Sequence, residues 1–83
     1  MPKVILYTTP GCMSCRQLAK AMDKREIHYD TVNLAQNPEM LEQLTELGYR
    51  EAPIVTTEGF SFSGFRLNKV DELAARVKRE KHA

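Results

Sequence analysis

The chain has 83 residues, 12 Lys and Arg against 11 Asp and Glu, and a formal net charge of +1. That length supports one small domain, residues 1–83, with one core that needs most of its apolar residues for packing. The charge balance offers no basis for binding nucleic acid or an anionic membrane, and the longest apolar runs fall far short of a bilayer span.

The N-terminal run of Val4, Ile5, Leu6 and Tyr7 is too short for a signal peptide, and no cleavage site follows it. This predicts a cytoplasmic protein, in a compartment that keeps thiols reduced. Both cysteines, Cys12 and Cys15, lie in one short stretch. There they are reactive or metal-binding rather than a staple, because a bridge closing so short a loop removes little entropy from the unfolded chain.

Residues 3–8 are β-branched and aromatic in a nearly continuous run, which predicts a strand buried on both faces. Pro10 and Gly11 stop it. Cys15, Leu18, Ala19 and Met22 then recur at helical spacing. Residues 28–33 alternate weakly and predict a second strand. Asn37 as N-cap, Pro38 at the first helical position and Glu39 in the first turn predict a helix closed by Gly48, with Met40, Leu41, Leu44 and Leu47 in the core. Residues 52–57 predict a strand that Pro53 opens. Glu58 and Gly59 make a hairpin turn to an edge strand over residues 60–63, and Gly64 closes it. Asn68 with Asp71 predicts the cap of a last helix, whose buried stripe is Val70, Leu73, Ala74 and Val77. The charged tail, residues 78–82, is expected to fray. The order β-α-β-α-β-β-α predicts an α/β fold with a mixed four-stranded sheet and three flanking helices. Its first two strands are parallel and its last two form a hairpin.

A thiolate at Cys12 would be stabilised if this residue opens the first helix. The helix dipole, the free N–H groups of residues 13–15, the Cys15 thiol and the Arg16 cation all act in that direction. Cys12 is then the more exposed sulfur and attacks a partner disulfide. Cys15, one turn on, resolves the mixed disulfide from within. The pair needs no cofactor to carry two electrons. A zinc site needs two further ligands, and only His28 and His82 are on offer, both expected at the surface. In a small protein that opens β-α-β, this C-x-x-C reads as a thioredoxin-like redox motif. Pro53 has two readings from the residues alone: a strand-initiating proline, or a cis-proline that turns the Ala52 backbone toward the cysteines.

Three features together carry a family resemblance. Tyr7 to Gly11 lead into Cys12, Met13, Ser14 and Cys15. Ala52, Pro53, Ile54 and Val55 follow, and then Ser63, Gly64, Phe65 and Arg66. In this order they resemble the glutaredoxin-like NrdH redoxins, with Gly48, Tyr49 and Arg50 adding to the likeness. The resemblance implies a thioredoxin/glutaredoxin-like fold. It also implies a dithiol donor to the large subunit of a class Ib ribonucleotide reductase, recycled by thioredoxin reductase. NADPH is used only by that reductase. Cys12 is then the nucleophile, Cys15 the resolving thiol and Pro53 cis. Met13, Ser14, Ala52, Pro53, Phe62, Ser63, Gly64, Phe65 and Arg66 are then expected to face the partner, with the protein monomeric.

Two positions depart from the family pattern: Phe62 stands where Trp is frequent, and Met13 with Ser14 replaces the more usual Val-Gln or Met-Gln. Of the two phenylalanines, Phe65 is expected inward, while Phe62 fits either the core or a docking rim. Arg66 is a candidate to brace its loop against Glu51 or Glu58. A glutathione-dependent glutaredoxin is the main alternative. Against it, glutaredoxins carry an aspartate in the turn after the last strand, and here the first acid is Asp71. A third reading is an iron–sulfur or metal-bridging dimer through Cys12.

Overall fold

A computed structural model describes residues 3–81. His82 and the first two residues lie outside that range, so the signal-peptide and His82 expectations are not addressed by it. The elements are β1 (Ile5–Thr8), α1 (Met13–Lys24), β2 (Asp30–Asn33), a 3-10 turn (Leu34–Gln36), α2 (Pro38–Glu46), β3 (Ile54–Thr57), β4 (Phe60–Ser63) and α3 (Leu67–Lys81). The sheet runs β2-β1-β3-β4. β1 is parallel to β2, and β3 is antiparallel to both β1 and β4. The mixed four-stranded sheet and three helices match the order read from the sequence.

Alternation along the strands splits the core in two. Leu6, Val55 and Phe62 join Leu18, Met22, Val70 and Leu73 under α1 and α3. Tyr7 and Ile54 join Leu34 and Leu44 under α2. β1 is therefore packed on both faces, the physical reason its run is continuous in apolar residues.

Several expectations need correction. The strands begin later than read: β1 at Ile5 and β3 at Ile54, with His28 exposed in the connector ahead of β2. On α2 only Leu44 is fully buried, and Met40 is half-buried. Leu41 is exposed and Leu47 is 72% exposed. Leu41 lies a sixth of a turn or more off the buried stripe, and Leu47 is the cap beyond the helix, where the stripe no longer continues. The Asn37 side chain gives α2 no capping bond; its amide donates to the Asn33 carbonyl instead.

Asn68 does not cap α3. The helix starts at Leu67, and the Arg66 carbonyl accepts the first bonds, from the N–H groups of Lys69 and Val70. The helix also continues through the charged tail to Lys81, where fraying was expected.

Both α1 and α2 end in the same way. Glu26 N–H bonds to the Asp23 carbonyl and Ile27 N–H to that of Met22, and Gly48 and Tyr49 repeat the pattern on Thr45 and Leu44. This is a Schellman motif. Gly48 takes its left-handed position at φ 99°, whereas α1 places Glu26 there at φ 57°.

Candidate functional site

Pro10 and Gly11 break β1, and the chain re-enters regular structure at Cys12, the N-cap of α1. Cys12 has an extended backbone, and its Sγ accepts the Cys15 N–H at 3.1 Å. A sulfur thus occupies the place where Ser or Asp oxygen usually satisfies a free helix N–H. Of the N–H groups expected to face the sulfur, that of Cys15 does so. The Ser14 hydroxyl oxygen lies 3.6 Å from the same atom.

The Cys12 and Cys15 sulfurs are in disulfide contact, with Cα atoms 5.2 Å apart. That separation is within the range a disulfide requires. Cys12 is half-buried and Cys15 is 4% exposed. Cys12 therefore offers a partner more surface than Cys15 does.

Pro53 is fully buried, and the Ala52–Pro53 peptide is cis. The Ala52 carbonyl oxygen lies 4.0 Å from Cys12 Sγ, across 40 positions of sequence. Gly64 N–H donates to the Pro53 carbonyl at 2.8 Å, so the loop after β4 is tied to the segment beside the cysteines. Gly64 has φ 83°, a left-handed value suited to glycine. Cys12, Ser14, Ala52, Pro53 and Gly64 thus form one connected group. Ser63 lies at the end of β4, paired with Ile54.

The remaining candidates separate from this group. Met13 is 68% exposed. Phe65 is 39% exposed and Phe62 only 4%, the reverse of the expectation that Phe65 turns inward. Register explains it: Phe62 pairs with Val55, whose side chain faces α1 and α3, while Phe65 lies past the end of the strand. Phe62 is core and cannot serve as a docking rim. Arg66 is exposed, and among the described residues no ion pair joins it to Glu51 or Glu58.

A cleft of about 320 Å³ opens on the other flank of the cysteines, away from β3. Leu6, Thr8, Arg16, Thr31 and Asn33 line it. Thr31 and Asn33 were not singled out from the sequence. The parallel pairings Leu6–Thr31 and Thr8–Asn33 put them on the same face as β1's cysteine-side residues. A weakly alternating second strand carried that signal only faintly. Among the described residues, no three His, Cys, Asp or Glu side chains cluster as a metal site, and no helix is long and apolar enough to cross a membrane.

A four-stranded mixed sheet with an accessible sulfur at a helix start, and a buried sulfur one turn on, defines a thioredoxin-like thiol–disulfide oxidoreductase. Comparison with known proteins narrows the class. Residues 4–62 match the glutaredoxin family. The glutaredoxin-like protein NrdH of Lactococcus lactis subsp. lactis strain IL1403 is 38% identical over 71 residues, 86% of this chain and 99% of its own length. That of Escherichia coli K12 is 31% identical, over 86% of this chain and 88% of its own. The solved structure of the Escherichia coli NrdH-redoxin superposes with a TM-score of 0.82, covering 86% of this chain and 93% of its own at 31% identity. A glutaredoxin from Archaeoglobus fulgidus shares the fold at a TM-score of 0.77 and 16% identity. The chain belongs to the glutaredoxin family, among its glutaredoxin-like NrdH redox proteins.

Proposed function

We propose that this chain is a single-domain, monomeric dithiol carrier of the cytosol that donates electrons to the large subunit of a class Ib ribonucleotide reductase. Thioredoxin reductase recycles it at the expense of NADPH. Cys12 attacks the partner disulfide, and Cys15 displaces the partner from Cys12. The half-buried Cys12 sulfur and the covered Cys15 sulfur support that division of roles. The N–H of Cys15 and the dipole of α1 favour a thiolate on Cys12. Holding the second thiol one turn away makes the release step intramolecular. No cofactor enters the cycle, since the cysteine pair carries both electrons.

One observation carries the choice of reductase. The loop after β4 presents Phe65 and Arg66 but no acid. The next acid, Asp71, is already held by Arg25 at 2.7 Å. A glutathione ammonium group would find no carboxylate partner there. In support, the Escherichia coli relative is a glutaredoxin-like protein with a thioredoxin-like activity profile. Ala52, Gly64, Phe65 and Arg66 form the partner surface in this reading, with the buried Pro53 beneath it and Met13 at its edge.

The test is NADPH oxidation coupled to a disulfide reporter. Turnover with thioredoxin reductase, and at least ~10-fold less with glutathione and glutathione reductase, is expected; the reverse ratio assigns the protein to the glutathione system. Deoxyribonucleotide formation by a class Ib reductase should then depend on the added protein. A Cys15→Ser variant should trap the mixed disulfide through Cys12, and trapping through Cys15 in Cys12→Ser instead would invert the roles.

A further inference from the structure

Ser14 is the residue between the cysteines whose side chain meets the reacting sulfur. It is half-buried in the first turn of α1, with its hydroxyl oxygen 3.6 Å from Cys12 Sγ. At this position no carbonyl of the same helix lies behind it to accept its proton. Among the described residues the hydroxyl has no other hydrogen-bond partner. The Cys15 N–H reaches the same sulfur at 3.1 Å, so two donors converge on one atom. Met13, its neighbour, is 68% exposed and carries no donor.

We propose that Ser14 is a positioning residue that donates a hydrogen bond to the Cys12 thiolate in the reduced protein and so weakens the pair as a reductant. The inference deepens the reading above. It rests on Cys12 carrying the thiolate, and not on the identity of either partner.

The redox step shows why one bond biases it. The Cys12 thiolate attacks a disulfide R–S–S–R′, forming Cys12–S–S–R and releasing R′–S⁻. Cys15 gives up its proton to that thiolate, and its sulfur attacks Cys12, releasing R–S⁻ and closing the Cys12–Cys15 bond. Two electrons pass to the partner, and solvent supplies the second proton. A thiolate is a full-charge acceptor, whereas a disulfide sulfur is a weak one. The Ser14 bond therefore stabilises the reduced state more than the oxidised state. It lowers the Cys12 pKa and makes the reduction potential less negative.

The charged group lining the cleft with Cys12 is Arg16 on α1. Arg50 and Glu51 precede Ala52, and Arg66 follows Gly64 on the neighbouring loops. The end of β1 and the residue after it contribute only the neutral Thr8 and Thr9. These groups remain in any Ser14 variant, so substitution isolates the hydroxyl.

The experiment compares wild type with Ser14→Ala and Ser14→Thr. Reduction potentials are measured by equilibration in dithiothreitol redox buffers from pH 5 to 9. The Cys12 pKa is read from thiolate ultraviolet absorbance in a Cys15→Ser background. Ser14→Ala should shift both the acid constant and the dithiol–disulfide equilibrium by about tenfold, making the potential about 30 mV more negative above both pKa values. The potential difference should vanish at pH values below the wild-type Cys12 pKa, where both proteins hold a thiol. Ser14→Thr, which keeps the hydroxyl, should stay within about twofold of wild type on the same scale. Three results overturn the proposal: unchanged pKa and potential in Ser14→Ala, a difference that persists at the acid end, or an equal shift in Ser14→Thr. No partner protein enters either measurement, so a wrong reductase leaves this result intact and a wrong role for Ser14 leaves the coupled assay intact.

Discussion

The two faces of the sheet are built unequally. One carries α1 and α3, helices of 12 and 15 residues, over a cluster that includes Leu6, Leu18, Met22, Val55, Phe62, Val70 and Leu73. The other carries only α2, of nine residues, over Tyr7, Leu34, Leu44 and Ile54. Arg25 adds to the first face by reaching Asp71 on α3 and the Ala21 carbonyl of its own helix. The helix with Cys12 at its N-cap and Cys15 in its first turn is anchored on the thicker face. Cys15, Leu18 and Met22 lie on one stripe, so the buried sulfur is a continuation of the core. The α2 face leaves Leu41 and Leu47 to solvent.

This contrast can be broken by truncation on each side. Leu73→Ala should cost about 3–4 kcal/mol, since a fully buried leucine loses its transfer energy and leaves a cavity between two helices and the sheet. Leu44→Ala should cost about 2 kcal/mol, because the short α2 can settle into the space. Urea unfolding of the oxidised protein measures both, and equal losses would show that the faces contribute alike.

Gly64→Ala should cost about 1 kcal/mol, because its φ of 83° disfavours any side chain. A Cβ there would meet nothing closer than Arg66 Nε at 3.9 Å, so the penalty is torsional rather than a clash. The same variant should also slow the coupled assay, since Gly64 N–H holds the Pro53 carbonyl.

The helix ends sharpen the comparison in the other direction. Glu26→Gly should stabilise by about 0.5–1 kcal/mol, since Glu26 sits at φ 57° where α2 uses glycine. An unchanged urea midpoint would mean that α1 holds Glu26 there without strain.

The smallest effect is a pH dependence on the thicker face. Burial, and then the hydrogen bond to Asp23 and its charge, raise the Tyr29 pKa above its ordinary 10.0. A raised acid constant in the folded state favours the protonated fold. Its contribution is complete below about pH 10 and is lost as pH climbs through the folded value. Wild type should therefore lose slightly more stability between pH 9 and 11 than Tyr29→Phe does. Equal losses would mean that the Tyr29–Asp23 contact is too open to water to matter.

Much of the fold was legible because its signals are local. The continuous apolar run of β1, the helical spacing of α1 and the Glu58–Gly59 turn each specify an element within a few residues. Errors fell where burial depends on a distant partner. Met40, Leu41, Leu44 and Leu47 look alike in sequence, and the brevity of α2 left only Leu44 fully covered. Phe65 was expected inward and Phe62 was left between core and rim, because only the β3–β4 register shows that Phe62 is the one set against Val55. The period-2 spacing of Phe60 and Phe62, whose rings approach to 5.8 Å, already held that answer. Asn68 resembled a cap, yet α3 begins earlier, where the Arg66 carbonyl becomes available.

The sequence by itself determined the chemistry. Two cysteines three positions apart, at the point where a strand gives way to a helix, put one sulfur on a free helix N–H and the other in the core. That outcome needs only helix geometry. The surroundings of the reacting sulfur were decided by tertiary structure. Ala52 reaches Cys12 across 40 positions, and Gly64 reaches Pro53, because β1, β3 and β4 pair in one particular register. Register is a property of the whole sheet and its two packed faces, so no single stretch of the chain contains it.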